Sequence, residues 1–578
     1  MSILSVGLSG LLTSRDALSV TSSNVANANN PAYKRQVLKQ ASGLSQFLLG
    51  GYVGQGVQST GVDRVTNQFL YNQILKTGSE SQYASTLKGQ LSRVDEIFAD
   101  GNNALADAMT AFTNAAQDLS LRPADNPSRQ QFLSSTQFLV EQFNSVSGRF
   151  DAVRRDNTEQ IQFTVNQIND LTGNIADLNK SIAKSYLTGD GKGVPLNLLD
   201  QREDLILQLS EKVDVQVIEG ERGELNILMR QGQPLVTFDK AYSLLALSDA
   251  SDPETTVIAR DPETGGAPIR FANKNLGRGE LSALLEFRDT AINQYQNTLG
   301  LMALSIHDQV NAIQAGGVEL VDDPGPPAAN VPGKPLLSFA KNTSDPLDNG
   351  FSRVVANAFN SDANTRLAVG TVNTSTLQSN EYEVFVLNNA GTPEVRYRPL
   401  GSKSAGQVAT DLGGGNYQVP DAFTFSISGG AFVPGDSFQV KLTAKAALNL
   451  RLENLGTDQV ATRAPGASVG DNTQVLKMTR VLDQATLFQR AGSSGISVRD
   501  TFSRLLTTVG NDVRVADNSA KTSLGVLESL NAEQSAQSGV NLDEEAAKLI
   551  QYQQAYSANA KIISLSKELF DDLLTAVR

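Results

Sequence analysis

A single histidine in 578 residues leaves little room for acid–base or metal chemistry. A Ser-His-Asp triad or a histidine-bound metal would have to use His307. It stands between Ile306 and Asp308 in a helical pattern, with no second ligand three or four residues away, so a structural or surface role is expected. Cysteine is absent, which excludes disulfides, thiolate catalysis, zinc ribbons and iron–sulfur clusters. The run GGYVGQG at 50–56 lacks the G-x-G-x-x-G order and a following helix, so it reads as a turn and not a phosphate loop. Gly492-Ser493-Ser494-Gly495 does not complete a nucleophile elbow. Asp543, Glu544 and Glu545 form the densest acidic group. They stand where a helix begins, and a favourable interaction with the helix dipole accounts for them. No catalytic, cofactor-binding or metal-binding residue is assigned, no cofactor is expected, and the chain reads as a non-enzyme.

Composition narrows the class further. A net charge of -13 with 40% hydrophobic residues describes an ordinary acidic, water-soluble chain. No basic surplus exists to neutralise phosphates, so nucleic acid is not an expected partner. No stretch approaches the roughly 18–20 apolar residues of a membrane span. The opening MSILSVGLSGLLTSRDALSV has no basic residue before Arg15, and its apolar run is broken by Ser and Gly. A cleaved signal peptide is therefore not expected, and export would need another route.

With chemistry set aside, the elements at the two ends become the candidates for function. Leu4, Leu11, Leu18 and Val25 recur at seven-residue spacing, as do Leu542, Leu549, Tyr556, Ile563, Phe570 and Val577. Such a repeat makes a narrow apolar seam that needs a partner helix. Residues 1–66 carry a net charge of +3 and residues 530–578 one of −3, which favours pairing weakly. The two ends are expected to meet as a helical pair. Because the N-terminal helix is rich in Ser, Gly and Asn, its seam is expected to be completed by neighbouring subunits.

Between the ends the texture alternates. Residues 1–28 predict a helix, ended by Asn29-Asn30-Pro31. Residues 40–66 read as a loop with weak strands. Phe132 to Ile182 hold one helical face from about 128 to 186, a span of roughly 85 Å at 1.5 Å per residue. A shorter helix is expected over 196–212. VDVQVIEG, GELNILMRQG and QPLVTF read as hairpins, helix returns over 278–314, and DDPGPPAANVPGKP at 322–335 reads as a linker. Residues 345–450 are mostly β, and helix resumes from about 472, with breaks near Gly492–Gly495 and Ser538–Gly539. The expected class is α+β and multidomain: terminal helices paired as a coiled coil, a long helical-bundle domain, and β-rich domains inserted in the middle. The expected divisions are 1–66 with 530–578 (terminal), 67–212 with 278–315 and 472–529 (helical rod), 213–277 with 316–344 (β-rich), and 345–471 (variable outer β).

The segment SNVANANNPAYKRQ at 23–36 resembles the signature of bacterial flagellar rod, hook and hook-associated proteins, which usually reads Asn-x-Ala-Asn-x-Asn-Thr-Pro-Gly-Tyr. The chain departs from it at Asn30 and Ala32 and keeps Asn27, Pro31 and Tyr33. SGVNLDEEAAKLIQYQQAYSANAKII at 538–563 is similar to the C-terminus of the hook–filament junction members of that family. NLLDQREDLILQLS at 197–210 and GELSALLEFRDTAINQYQNTLG at 279–300 fit as well. The resemblance implies a structural role, in a ring-like helical zone joining hook to filament. It implies unfolded export through the flagellar type III apparatus to an extracellular place on the flagellum. The partners it implies are further copies of the chain, the hook protein, the second junction protein, and a cytoplasmic export chaperone on the C-terminal helix. Asn27, Pro31 and Tyr33 then join the two heptads as expected assembly residues. A hook or distal rod protein, or a surface-adhesive module in the β insertion, is the alternative reading.

Overall fold

The computed structural model describes residues 3–43, 46–48, 51–99, 104–188, 195–220, 223–230, 232–248, 256–262, 266–271, 276–320, 331–343, 345, 347–357, 360–362, 364–377, 381–389, 391–489 and 494–576. Helix α1 (Ile3–Ala26) opens the chain, and an exposed antiparallel ribbon follows, pairing Gln36–Ser42 with Val57–Arg64. Where a loop with weak strands was expected at 40–66, this ribbon and a smaller hairpin of Gln46–Leu48 with Gly51–Val53 stand instead. Helices α2 (Gln68–Ala99), α3 (Ala104–Leu121), α4 (Asn126–Thr188) and α5 (Leu196–Lys212) come next.

The 63 residues of α4 make the longest element, about 95 Å at 1.5 Å per residue. Its start has a local cause. The Asp125 carboxylate accepts from the Ser128 backbone N–H at 3.1 Å and from its hydroxyl at 2.6 Å, capping the first turn. Arg129, fully buried, then donates to the carbonyls of Pro123, Thr457 and Val460 and to Thr462 Oγ1. One guanidinium thus ties the head of α4 to a segment more than three hundred residues away.

Two hydrophobic cores lie along α4. The first packs its Phe132, Phe143 and Phe150 against Phe112 of α3 and against later helices and strands. Phe98 of α2 meets Phe150 edge-on at 5.8 Å and Phe502 at 6.2 Å. The second core joins Ile161, Val165, Ile168 and Ile175 to Ile206 and Leu209 of α5. It is closed by a four-stranded meander (Val215–Glu219, Leu225–Met229, Pro234–Thr237, Lys240–Ala241).

Helix α6 (Glu280–Glu286) and helix α7 (Asn293–Ala315) replace the single helix expected over 278–314. A π-helical turn, Phe287–Ile292, joins them and buries both Phe287 and Ile292. The extra residue per turn changes which face points inward, so both halves stay packed. The proline-rich linker lies largely outside the described residues. Its end is tied down, with Glu319 N donating to Val331 O and Gly333 N to Gly317 O.

Among the described residues, the outer β region holds two antiparallel sheets. One has the order 353–356, 437–441, 381–389, 392–399, 407–408; the other 366–372, 423–428, 416–419, 410–413. Tyr382 of the first and Phe423 of the second meet at 5.3 Å, so the sheets share an interior. Short helices α8 (Ala446–Asn449) and α9 (Val475–Met478) follow. The helix expected to resume near 472 is confined to the single turn of α9. Residues 479–486 run mostly as turns, and a bridge between Leu487 and Ile496 follows, with Val481, Leu482 and Leu487 buried at irregular spacing. Continuous helix starts with α10 (Val498–Ser538), where the Ser497 hydroxyl caps Asp500 N at 3.0 Å. It lies along α2, crosses residues 529–530 unbroken, and ends before Gly539. Helix α11 (Leu542–Ala576) returns to α1.

Candidate assembly interface

The ends do meet, and they run antiparallel: Gly7 lies beside Ile562 and Ile563, and Asn24 beside Glu545. The seam differs from the expected one. Gly7, Thr13, Ser14, Ala17, Thr21 and Asn24 are buried on α1. With half-buried Gly10 they continue a three–four spacing made of small and polar side chains. A Cβ on Gly7 would sit 3.1 Å from Ile562 Cγ2, and one on Gly10 would sit 2.6 Å from Asn559 Oδ1. The absent side chains let the two backbones approach closely. On α11 the facing stripe runs through Glu545, Tyr552, Ala555, Asn559 and Ile563.

The large apolar residues lie on the flanks and the outside. Leu4, Leu8, Leu12 and Val25 of α1, and Leu542, Ile550, Tyr556, Leu565, Leu569 and Phe570 of α11, are 36–63% exposed. Of the expected heptad residues, Leu4, Val25, Leu542, Tyr556 and Phe570 are thus exposed, while Leu11, Leu18, Leu549 and Ile563 are half-buried. Val577 lies outside the described residues. The two heptads therefore do not make up the whole seam: Leu4, Val25, Leu542, Tyr556 and Phe570 stand exposed, while Ile563 lies against Gly7. Small residues line the α1 side of the seam and allow the tighter approach, which leaves several of the large repeat residues on the outside.

A polar clasp closes the far end of the pair. Asn24 donates through Nδ2 to Glu545 Oε2 at 2.9 Å and to Gln36 O at 2.9 Å. Its Oδ1 accepts from Gln36 N at 2.9 Å and from the Tyr33 hydroxyl at 2.9 Å. Glu545 is 1% exposed and also accepts from Lys548 at 2.7 Å, while Glu544 pairs with Arg35 at 3.3 Å. The acidic group at the head of α11 therefore holds the two ends together in addition to facing the helix dipole. Asn27 donates to Ser23 O at 2.9 Å, and Pro31 is exposed in the following turn. Ala32 stands where the signature has glycine, yet positive φ among the described non-glycine residues occurs only at Phe238, Asp421 and Phe488. Alanine fits this turn without strain.

A second joint links the ribbon to the rod-like helices. Arg64 reaches Asp200 and Glu203 of α5, each at 2.7 Å, with all three side chains largely buried. Burial alone would lower the Arg64 pKa, but Glu203 and Asp200 outweigh it and raise it. Tyr71 of α2 donates to Glu203 O at 3.1 Å, and Arg202 donates to Asn179 Oδ1 and Gly223 O, both at 2.8 Å. Asp200, Arg202 and Glu203 all come from the 197–210 segment, and nothing in its local pattern reveals that it grips Arg64.

The residues screened for chemistry take structural places. His307 Nδ1 lies 2.8 Å from Asp308 Oδ1, and its ring rests on Phe339 at 4.4 Å. Gly51–Val53 forms a hairpin strand, and Gly56, at φ +91°, passes Ser9, whose hydroxyl accepts from Val57 N at 3.3 Å. Gly50, Gly492 and Ser493 lie outside the described residues. Among the described residues no group of His, Cys, Asp and Glu is placed to hold a metal, and no helix is long and apolar enough to cross a membrane.

Residues 4–34 match the family model described as flagella basal body rod protein, and residues 534–576 match that of the flagellar basal body rod FlgEFG protein C-terminal. Those are the two helices of the pair. They set the chain among the structural proteins of the bacterial flagellum. Residues 91–327 match the flagellar hook-associated protein FlgK helical domain. Flagellar hook-associated protein 1 of Salmonella typhimurium is 30% identical over 587 residues, with 99% of each chain covered, and that of Escherichia coli K12 is 30% identical over 579, again with 99% of each. The chain belongs to the flagellar hook-associated protein 1 family. The relative in Bacillus subtilis is 25% identical over 97% of this chain and 95% of its own. The flagellar hook junction protein FlgK from Burkholderia pseudomallei shares the fold at a TM-score of 0.65 and 19% identity, over 80% of this chain and 99% of that one.

Proposed function

We propose that the chain joins hook to filament as a non-enzymatic subunit of a ring-like helical zone at the hook tip, outside the cell. The observation that carries this is the outward apolar face of α1 and α11, left over after the pair has closed on its small-residue seam. Exposed apolar area of this extent, at both ends of one helical pair, favours contact with neighbours. Ordering the ends costs roughly 1–2 kcal/mol per residue, so burial against several neighbours together must offset it. Assembly is then cooperative, and heterologous contacts extend a helical tube. Its neighbours are further copies of the chain, the hook protein below and the second junction protein above.

The same face serves a second partner before assembly. Export through the flagellar type III apparatus requires an unfolded chain, and a cytoplasmic chaperone covers the C-terminal apolar residues until then. Residues 1–66 with 530–578 act as the inner-tube part, the segments 67–212, 278–315 and 472–529 as the rod, 213–277 with 316–344 as a β-rich flank, and 345–471 as the outward variable part.

Tyr556→Asp tests both roles. It places a charge on the apolar face while leaving the seam residues intact. Expressed in a strain lacking its own copy, the variant is expected to be absent from isolated hook tips and to lose chaperone binding in a pull-down. Incorporation at the wild-type level would sink the assembly reading, and unchanged chaperone binding would move the chaperone to another face.

A further inference from the structure

A cavity of about 320 Å3 opens where α4, α7 and the first outer sheet meet. Helix α4 contributes Arg154, and the sheet contributes Arg353 and Lys441, with Lys341 and Lys445 on flanking turns. These five cations outnumber the three lining carboxylates, Asp151, Asp348 and Glu381, even with Asp289 near Lys441 added. Each carboxylate accepts from an amide, and Asp151 also faces Arg154 and Arg353, as Glu381 faces Lys441. Gln296 Nε2 donates to Asp151 at 2.8 Å, Asn297 Nδ2 to Glu381 at 2.9 Å, and the backbone of Asn342 and Gly350 to Asp348 at 2.7 and 3.0 Å.

Burial pushes the Lys441 ammonium down to about 8, with Arg154 and Arg353 adding to the shift and Glu381 opposing it. Arg353 is held down to about 10, by burial first and by Arg154 second. Like charges converging on an enclosed polar space are relieved when an anion enters it. The volume corresponds to roughly ten waters and falls near the lower limit for small-molecule sites. A lining with so few apolar groups suits a charged, hydrogen-bonding guest.

We propose that this cavity binds a small multivalent oxyanion, bearing phosphate or carboxylate groups, between Arg154, Arg353 and Lys441. Because Arg154 stands on the long helix and the other two on the sheet, the bound anion bridges them and stiffens that joint. Arg154 already donates to Asn293 Oδ1 at 2.6 Å and to Gln296, which fixes its head at the cavity wall. The site is remote from the terminal pair, so it is independent of the assembly face.

The test is titration calorimetry on the full chain at pH 7, with pyrophosphate and with citrate, against sodium chloride at matched ionic strength. Saturable one-to-one heats are expected with at least one of the oxyanions and not with chloride, and the tighter of the two identifies the preferred head group. Between pH 7 and 9 citrate keeps its charge while Lys441 loses its proton. The groups facing Lys441 are Glu381, Arg154, Arg353 and Asp289. Affinity is expected to fall roughly tenfold across that range. Lys441→Met and Arg353→Gln should each weaken binding by roughly tenfold or more. Lys341→Ala, on the exposed rim, should weaken it several-fold without touching the fold. Heats that only track ionic strength up to about 10 mM oxyanion, or saturable binding indifferent to all three substitutions, would overturn the proposal.

Discussion

The core along α4 and the terminal pair are built from opposite residues. In the core, Phe112, Phe132, Phe143 and Phe150 are wholly buried and interlock across several elements. In the pair, the buried positions of α1 are glycine, serine, alanine, threonine and asparagine, while Leu4, Leu8, Leu12, Ile550, Leu565, Leu569 and Phe570 lie outside. The core has spent its apolar surface within one chain. The pair holds most of its own in reserve, and only another molecule can use it. Stability of the free subunit and competence to assemble therefore reside in different places.

The largest expected break in this contrast comes from removing residues 543–578. Among the described residues the core contacts do not involve them, so the thermal transition of the middle should stay within a few degrees of wild type, while incorporation at the hook tip and motility are lost. Calorimetry and electron microscopy of isolated hooks read the two halves separately. Normal filament growth from the truncated chain would erase the distinction.

Phe143→Ala makes the complementary break. A fully buried phenylalanine truncated to alanine costs about 3–5 kcal/mol, visible as a lower midpoint in denaturant. Leu565→Ala, at a site 55% exposed, should change monomer stability by less than about 0.5 kcal/mol yet reduce incorporation. Equal effects of the two on the monomer would show that α11 is packed as the core is. A smaller effect is expected from Gly7→Leu. Its Cβ would already press on Ile562 and Ile563, so the helices must part. Faster proteolysis at both ends, with the middle resistant, is the expected pattern.

Much of this was legible in the residue pattern. Phe132, Phe143, Phe150, Val165, Ile168 and Ile182 keep one helical face, and all are buried in α4. That the ends meet could also be read, because repeats of large residues announce a helix with an unsatisfied side. The identity of the seam could not, since periodicity is weighed by large apolar residues and a stripe of Gly, Ser, Ala and Thr carries no hydrophobic signal. The ionic joint was hidden for another reason. Arg64 and Asp200 lie 136 positions apart, and one sequence offers no rule for pairing distant charges. The π-helical turn at Phe287–Ile292 has no proline or glycine to mark it, so its register change shows only in which side chains end up inside.

The clasp at Asn24 offers the finest test of how the two ends are held. Its side-chain amide uses both ends at once, donating to Glu545 and Gln36 O and accepting from Tyr33 and Gln36 N. Asn24→Ala leaves a buried carboxylate short of one donor and a backbone N–H short of its acceptor, a cost of about 1–3 kcal/mol. The cost is local, because Lys548 still pairs with Glu545 and Arg35 N still donates to Ser538 O. Hydrogen exchange should therefore quicken at Gln36 and along the first turns of α11, while amides near Gly7 and Ile563 change little. Asn24→Asp keeps the acceptor but sets a second carboxylate against Glu545, so it should open the same end further. If both variants exchange as the wild type does, the clasp contributes nothing, and the small-residue seam alone holds the ends together.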